Sequence, residues 1–155
     1  MEAVSIDNIQ IREFTCNDKD LVTEFFDQMG GETRAFFNRN EGNRKTAMGY
    51  FDAAAQNTVF FMAEQYGKMI GYVFLWDMDT MIPWLGISVH EEYKGKKLGK
   101  KLMDFVIDFA KEKSKGGILL TTHVANMRAQ ALYERSGFYY MGRHTSGESL
   151  YLLRF

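Results

Sequence analysis

The sequence is poor in cysteine and proline, with only Cys16 and Pro83 among its 155 residues. One cysteine excludes an intrachain disulfide framework and fits a reducing compartment. No apolar run approaches the roughly 20 residues that a membrane-spanning helix needs, and no N-terminal stretch has the basic and apolar regions of a signal peptide. The net charge of −1 gives no general attraction to nucleic acid or to an anionic membrane. We therefore expect a cytoplasmic protein with no nucleic-acid or membrane partner.

Apolar residues are plentiful enough to build a sizeable core. Hydrophobic residues make up 46% of the chain and aromatic residues 15%. A chain of this length most simply forms one domain, which we expect to span residues 1–155. We find no repeats, linkers or low-complexity tracts that would divide it.

The periodicity of apolar residues predicts an alternation of strands and helices. An alternating strand at residues 9–14 precedes a helix that carries Leu21, Val22, Phe25 and Phe26, and a short helix is expected through Met48, Phe51 and Ala55. Two strands at residues 58–63 and 69–76 flank a tight turn, and further strands are predicted at residues 82–89, 118–123, 139–142 and 150–155. Two longer helices are predicted at residues 98–113 and from Asn126 to Gly137. Helices that interrupt a largely antiparallel sheet indicate an α+β fold.

The segment VHEEYKGKKLGKKL at residues 89–102 joins a strand end to a turn rich in lysine and glycine and then to an amphipathic helix. The first turn of a helix leaves backbone N–H groups without intrahelical partners and carries roughly +0.5 charge, so that an anion docks well against it. The Walker and dinucleotide-binding glycine motifs are absent. The segment predicts a phosphate-binding turn, although a solvated basic face is the alternative when it is taken alone.

A second segment, HVANMRAQALYERSGF at residues 123–138, predicts a helix capped by Asn126 and ended by Gly137. Tyr133 follows Asn126 by seven residues, and Ala129 lies between them. At about 100° per residue, this spacing returns to nearly the same helix face. The polar cap and the phenol are therefore expected to face one neighbour, while a plain core role for the tyrosine is the alternative.

Together the two segments resemble the GNAT superfamily of acetyl-CoA-dependent N-acetyltransferases. The family's pyrophosphate loop falls on residues 94–99, where Lys94 replaces an Arg or Gln and Lys97 replaces the first glycine. The downstream signature matches without a gap at Asn126, Ala129, Leu132, Tyr133, Gly137 and Phe138. The resemblance implies an acyl-CoA N-acyltransferase fold, with a mostly antiparallel sheet of about seven strands flanked by about four helices.

This resemblance implies transfer of an acetyl group from acetyl-CoA to the primary amine of a small-molecule or peptide acceptor, by direct attack in a ternary complex and without a metal. By this resemblance, Tyr133 takes the position of the family's general acid. The role suits a phenol, which is neutral at pH 7 and able to donate a proton. The implied acetyl-CoA-binding residues are Ile87, Ser88, Val89, Lys94, Gly95, Lys96, Lys97, Leu98, Gly99, Lys100, Asn126, Ala129 and Tyr133. A catalytically silent acyl-CoA-binding or regulatory module is the alternative. A small nucleic-acid binder is disfavoured because the lysines cluster at one helix terminus.

The general base is not assigned by the sequence, because residues 82–89 contain no carboxylate. The candidates are His90, Glu91, Glu92 and His123, with Ser88 as a residue that could order a water. The acceptor pocket is equally open, and its candidate residues are Phe36, Phe37, Tyr50, Phe51, Trp76, Trp84, Asp77 and Asp79. A homodimer is also possible, through pairing of the strand that ends at Phe155.

Overall fold

The computed structural model describes residues 7–31, 42–52 and 56–155. Its strands are β1 (Gln10–Glu13), β2 (Val59–Gln65), β3 (Lys68–Trp76), β4 (Trp84–Val89), β5 (Gly117–Thr122), β6 (Tyr139–Arg143) and β7 (Ser149–Arg154). Its α-helices are α1 (Lys19–Asp27), α2 (Gly42–Gly49), α3 (Leu98–Glu112) and α4 (Met127–Arg135). Short 3₁₀ turns follow α2 at Tyr50–Asp52 and precede α3 at Glu91–Tyr93. Within these ranges, no helix combines the length and the apolar character that crossing a bilayer requires.

The seven strands form a single sheet in the order β1-β2-β3-β4-β5-β7-β6. Every neighbouring pair is antiparallel except β4 and β5, which run parallel. The predicted α+β fold with a mostly antiparallel sheet is confirmed, and the described residues form seven strands and four α-helices where about seven and about four were expected. β7 lies between β5 and β6, and residues 149–152 are paired on both sides, which leaves little edge for a second copy at the C-terminal strand. The homodimer stays a prediction.

Local signals placed most elements correctly. Tyr66 and Gly67 both have positive φ, of 51° and 78°, and they form the two-residue turn between β2 and β3. Such turns match the twist of the strands they join, which is why the predicted hairpin forms there. The strand predicted at residues 82–89 begins later, at Trp84, because Pro83 has no N–H for a ladder bond. Of the helix expected through Met48, Phe51 and Ala55, α2 and its 3₁₀ turn are described, and Ala55 lies outside the described residues.

Two hydrophobic clusters cover the two faces of the sheet. Side chains of β3 alternate between them, with Tyr72 and Phe74 on the side of α1 and Val73 and Leu75 on the side of α3. A strand buried on both faces reads as a nearly continuous apolar run, as residues 69–76 do. The central strand is therefore fixed from both sides, and β4 lies directly beside it.

Candidate active site

The parallel strands β4 and β5 touch at one end and separate at the other. Their register contains a single pair, Trp84 with Leu119. The N–H of Leu119 donates to the oxygen of Pro83 at 2.9 Å, at the amino ends of both strands. Beyond this pair no further ladder is formed, so a gap opens in the sheet toward Val89 and Thr122.

Backbone alternation decides which groups face this gap. The N–H of His90 donates to the oxygen of Ile70 on the side of β3, at 2.7 Å, whereas the oxygen of Pro83 faces β5. Because alternate residues of a strand point their backbone groups to the same side, Ile87 and Val89 present their N–H and C=O groups to the gap. The N–H of Ser88 points to β3 instead. Of the three strand residues predicted to bind acetyl-CoA, Ile87 and Val89 can therefore offer backbone groups, whereas Ser88 can offer only its side chain.

The turn after β4 carries the predicted phosphate site. Lys97 is the N-cap residue of α3 and adopts the left-handed conformation, with φ 67° and ψ 10°. Its side chain makes no capping bond, so the first N–H groups of α3 have no side-chain cap. Lys97 occupies the position of the motif's first glycine, and the backbone there keeps the conformation that glycine favours. The substitution thus retains the turn and adds a positive charge.

The charge around this turn is the reverse of that at an ordinary helix start. The first turn of α3 contains no acidic residue, although acidic side chains are normally favoured there. Lys94 pairs with Glu91 at 3.3 Å, and Lys100 pairs with Asp104 at 2.5 Å. Lys97 forms no ion pair within the described part of the chain. The terminus therefore keeps a net positive potential that suits an anionic ligand.

The second predicted segment forms α4 as expected. Asn126 caps the helix, and its Oδ1 accepts a hydrogen bond from the N–H of Ala129 at 3.3 Å. Tyr133 is only 6% exposed, and its ring lies 6.1 Å from that of Tyr151 and 6.0 Å from that of Phe138, between centroids. Burial raises the pKa of Tyr133 well above its usual value, and the charges of Glu148 and Tyr151 raise it further. Its hydroxyl is therefore protonated throughout the physiological range.

One cavity of about 730 Å³ joins the gap, the turn and α4. Its lining includes most of the predicted site, namely Ile87, Ser88, Val89, Lys94, Gly95, Lys97, Gly99, Lys100, Asn126, Ala129 and Tyr133. Lys96 and Leu98 do not line it. The side chain of Leu98 is fully buried in the core, which leaves its backbone N–H as the group it can offer, and Lys96 is exposed.

Sequence reasoning missed the other lining residues, which are Leu85, Gly86, Tyr93, Thr121, Thr122, Arg128, Leu132 and Arg135. Arg128, Leu132 and Arg135 lie at i, i+4 and i+7 on α4, so helical periodicity could have found them. Thr121 and Thr122 have no local signal. They reach the cavity only because β5 separates from β4.

The structure leaves the general base unassigned. Of the candidates His90, Glu91, Glu92, His123 and Ser88, the cavity lining includes Ser88 alone. Nδ1 of His90 accepts from the N–H of Glu92 at 3.2 Å, and Nδ1 of His123 accepts from the N–H of Ala125 at 3.1 Å. Both imidazoles thus stabilise turns. The hydroxyl of Ser88 is buried without a hydrogen-bond partner among the described residues.

Among the residues expected at the acceptor pocket, those that the structure describes do not line this cavity. Trp76 and Trp84 stack with ring centroids 6.0 Å apart, and His144 lies edge-on to Trp84 at 5.8 Å. Tyr50 and Phe51 pack against the core cluster on the side of α1. Asp77 and Asp79 are exposed, and Phe36 and Phe37 lie outside the described residues. The acceptor side therefore remains a prediction.

Sequence comparisons identify the proteins that this chain resembles. The model of the acetyltransferase (GNAT) family matches residues 15–138. A Xenopus tropicalis protein named as the N-acetyltransferase camello is 36% identical over 87 residues. A Bacillus subtilis protein named as a ribosomal protein bS18-alanine N-acetyltransferase is 30% identical over 78 residues. These matches cover 54% and 50% of the chain, but only 40% and 52% of the lengths of the two relatives.

Structural comparison extends the likeness to almost the whole chain. An N-acetyltransferase from Thermoplasma acidophilum in complex with coenzyme A superposes with a TM-score of 0.81 at 18% identity, covering 96% of this chain and 99% of that one. A Salmonella typhimurium structure with its cofactor acetyl-CoA gives a TM-score of 0.75 at 18% identity, covering 96% and 94%. At such identities the likeness establishes the fold.

Proposed function

The chain belongs to the GNAT acetyltransferase family, and we propose that it transfers an acetyl group from acetyl-CoA to the primary amine of a small-molecule or peptide acceptor by direct attack in a ternary complex. One observation carries the proposal. The open edge of β4, the uncapped start of α3 and the hydroxyl-bearing residue Tyr133 border a single cavity.

The residues of this cavity fit the parts of the carrier. The diphosphate would lie at the start of α3, where backbone N–H groups, Lys97 and the paired Lys94 and Lys100 are within the lining. The pantetheine arm contains amide groups that need hydrogen-bond partners. The gap-facing backbone groups of Ile87 and Val89 supply such partners, as a strand edge does for an added strand. Acetyl-CoA, when bound, supplies the acetyl group as a thioester.

The gap-facing N–H groups also serve the chemistry. When an amine attacks a thioester, negative charge develops on the carbonyl oxygen. A fixed N–H of Ile87 or Val89 that points into the gap stabilises this charge without having to reorient. Such donors act most strongly in a site that excludes water, and both residues lie beside the buried core.

Tyr133 is the proposed general acid. Its buried hydroxyl keeps its proton at neutral pH, since its pKa is raised by burial. It is therefore able to donate to the sulfur as the carbon–sulfur bond breaks.

The proposal is tested by binding and by thiol release. Coenzyme A binding is measured by calorimetry, and release of free thiol from acetyl-CoA is measured with a panel of polyamines, aminoglycosides, amino acids and peptides with a free N-terminus. We expect binding together with release that depends on one class of amine. Binding without release for any amine would favour the silent acyl-CoA-binding module. Absence of binding to coenzyme A and acetyl-CoA would refute the proposal.

A further inference from the structure

Two arginines of α4 border the cavity without a role in the transfer described above. Arg128 and Arg135 both line it. Neither forms an ion pair or a side-chain hydrogen bond within residues 7–31, 42–52 and 56–155. Long cationic side chains at the rim of a cavity, with no protein partner, indicate a site for an anionic group of the ligand.

Packing between α4 and α3 places these arginines beside the phosphate turn. Leu132 lies between them on the same helix face, and a Cβ built on Gly99 would lie 3.2 Å from Cδ2 of Leu132. The absence of a side chain at Gly99 thus lets α4 approach the start of α3 closely. Arg128, Leu132 and Arg135 line the same cavity as Lys97 and Lys100.

The lining of the cavity is strongly basic. Lys94, Lys97 and Lys100 line it together with the two arginines, and none of the lining residues that the structure describes is acidic. Arg128 lies in the first turn of α4, which contains no acidic residue, so its charge opposes the helix dipole. A bound anion would compensate this unfavourable placement.

We infer that Arg128 and Arg135 bind the ribose 3′-phosphate of coenzyme A, and that the protein therefore selects coenzyme A over dephospho-coenzyme A. The inference rests on the proposed use of acetyl-CoA. A phosphate monoester carries a charge of about −1.5 to −2 at neutral pH and exposes three terminal oxygens. The planar guanidinium fork of arginine matches such a group with paired hydrogen bonds.

The experiment compares the binding of coenzyme A and dephospho-coenzyme A by calorimetry at fixed ionic strength. Wild-type protein is expected to bind coenzyme A at least about 10-fold more tightly, the effect of losing charge-assisted hydrogen bonds. The Arg128→Gln, Arg135→Gln double variant is expected to lose about 10-fold in affinity for coenzyme A and less than about 3-fold for dephospho-coenzyme A. The matched control is Arg154→Gln on β7, because Arg154 is exposed and does not line the cavity.

A second variant, Arg128→Lys with Arg135→Lys, keeps both charges and is expected to retain part of the preference. Equal affinity of wild-type protein for the two carriers would overturn the inference while leaving the proposed function intact. An equal loss for both carriers in the double glutamine variant would also overturn it, since the arginines would then act on the diphosphate or on the fold. Failure of wild-type protein to bind either carrier would instead refute the proposed function, and the inference with it.

Discussion

Replacement of Ile87 or Val89 by proline tests the backbone chemistry of the gap directly. Proline has no N–H, so each variant deletes one donor that faces the gap while the bonds of β4 to β3, made by alternate residues, are kept. Proline is tolerated in strands where its missing donor faces away from a ladder. We expect at least one of the two variants to fold and to bind coenzyme A yet lose most of its turnover.

The size of the loss follows from the role of the donor. A single positioned donor to a developing oxyanion is worth about 3 kcal/mol, which at about 1.36 kcal/mol per decade corresponds to a roughly 100-fold fall in kcat. The side chains of Ile87 and Val89 also pack against the core on the side of α3. Ile87→Ala and Val89→Ala therefore serve as controls that remove side-chain packing but keep the N–H.

The assay is thiol release from acetyl-CoA under saturating conditions, alongside urea unfolding of each variant. Ser88→Pro is the contrasting variant, because the N–H of Ser88 points to β3 and its loss should destabilise the fold by about 2 kcal/mol or more. The reasoning would be refuted if Ile87→Pro and Val89→Pro both fold, bind coenzyme A and turn over within about 3-fold of their alanine controls.

Three further predictions concern the proposed acid, the turn before α3 and the ion pair between Arg12 and the buried Asp18. Tyr133→Phe should lower kcat by about 10²-fold and leave the affinity for coenzyme A within a few fold of wild type. Because burial raises the pKa of Tyr133, ionisation of this residue should cause no loss of the wild-type rate near pH 10. Lys97→Gly should stabilise the fold by about 1 kcal/mol in urea unfolding, because glycine adopts the left-handed conformation without strain. The same variant should bind coenzyme A more weakly in calorimetry, because it loses a positive charge. Asp18→Asn should cost about 1–2 kcal/mol at pH 7, because Asp18 pairs with the partly exposed Arg12 at 2.7 Å. Hydrogen bonds from Arg12 and Thr15 lower the pKa of Asp18, so this contribution is present above the carboxyl's unfolded pKa and is lost as pH falls through its folded pKa.

Each of these has a matched comparison. Tyr151→Phe removes a neighbouring hydroxyl that bonds to Gln130 and Glu134 outside the cavity, and equal losses in the two tyrosine variants would contradict the acid role. Lys97→Ala loses the charge but keeps the backbone strain, so a stability equal to that of Lys97→Gly would argue against strain. For Asp18, a stability difference from wild type that stays constant between pH 6 and about pH 2 would contradict the lowered pKa.

Most of the fold was predictable because its signals are local. The cap at Asn126, the turn at Tyr66 and Gly67, and the apolar stripe of α3 each depend on residues within a few positions of one another. The pairing partner of the C-terminal strand was not predictable in this way. The position of β7 between β5 and β6 depends on contacts between distant segments.

The candidate site likewise combines features set by local sequence with features set by contacts between distant segments. The sequence by itself determined the basic start of α3 and the capped helix that carries Tyr133, since helix termini and helical faces follow from residue type and spacing. Only the tertiary structure decided that β4 and β5 separate after Trp84 and that Ile87 and Val89 rather than Ser88 turn their N–H groups to the gap. It also decided that Arg128 and Arg135 line the same cavity as the turn before α3. These features depend on sheet pairing and on close helix packing at Gly99, which no spacing within a single segment can specify.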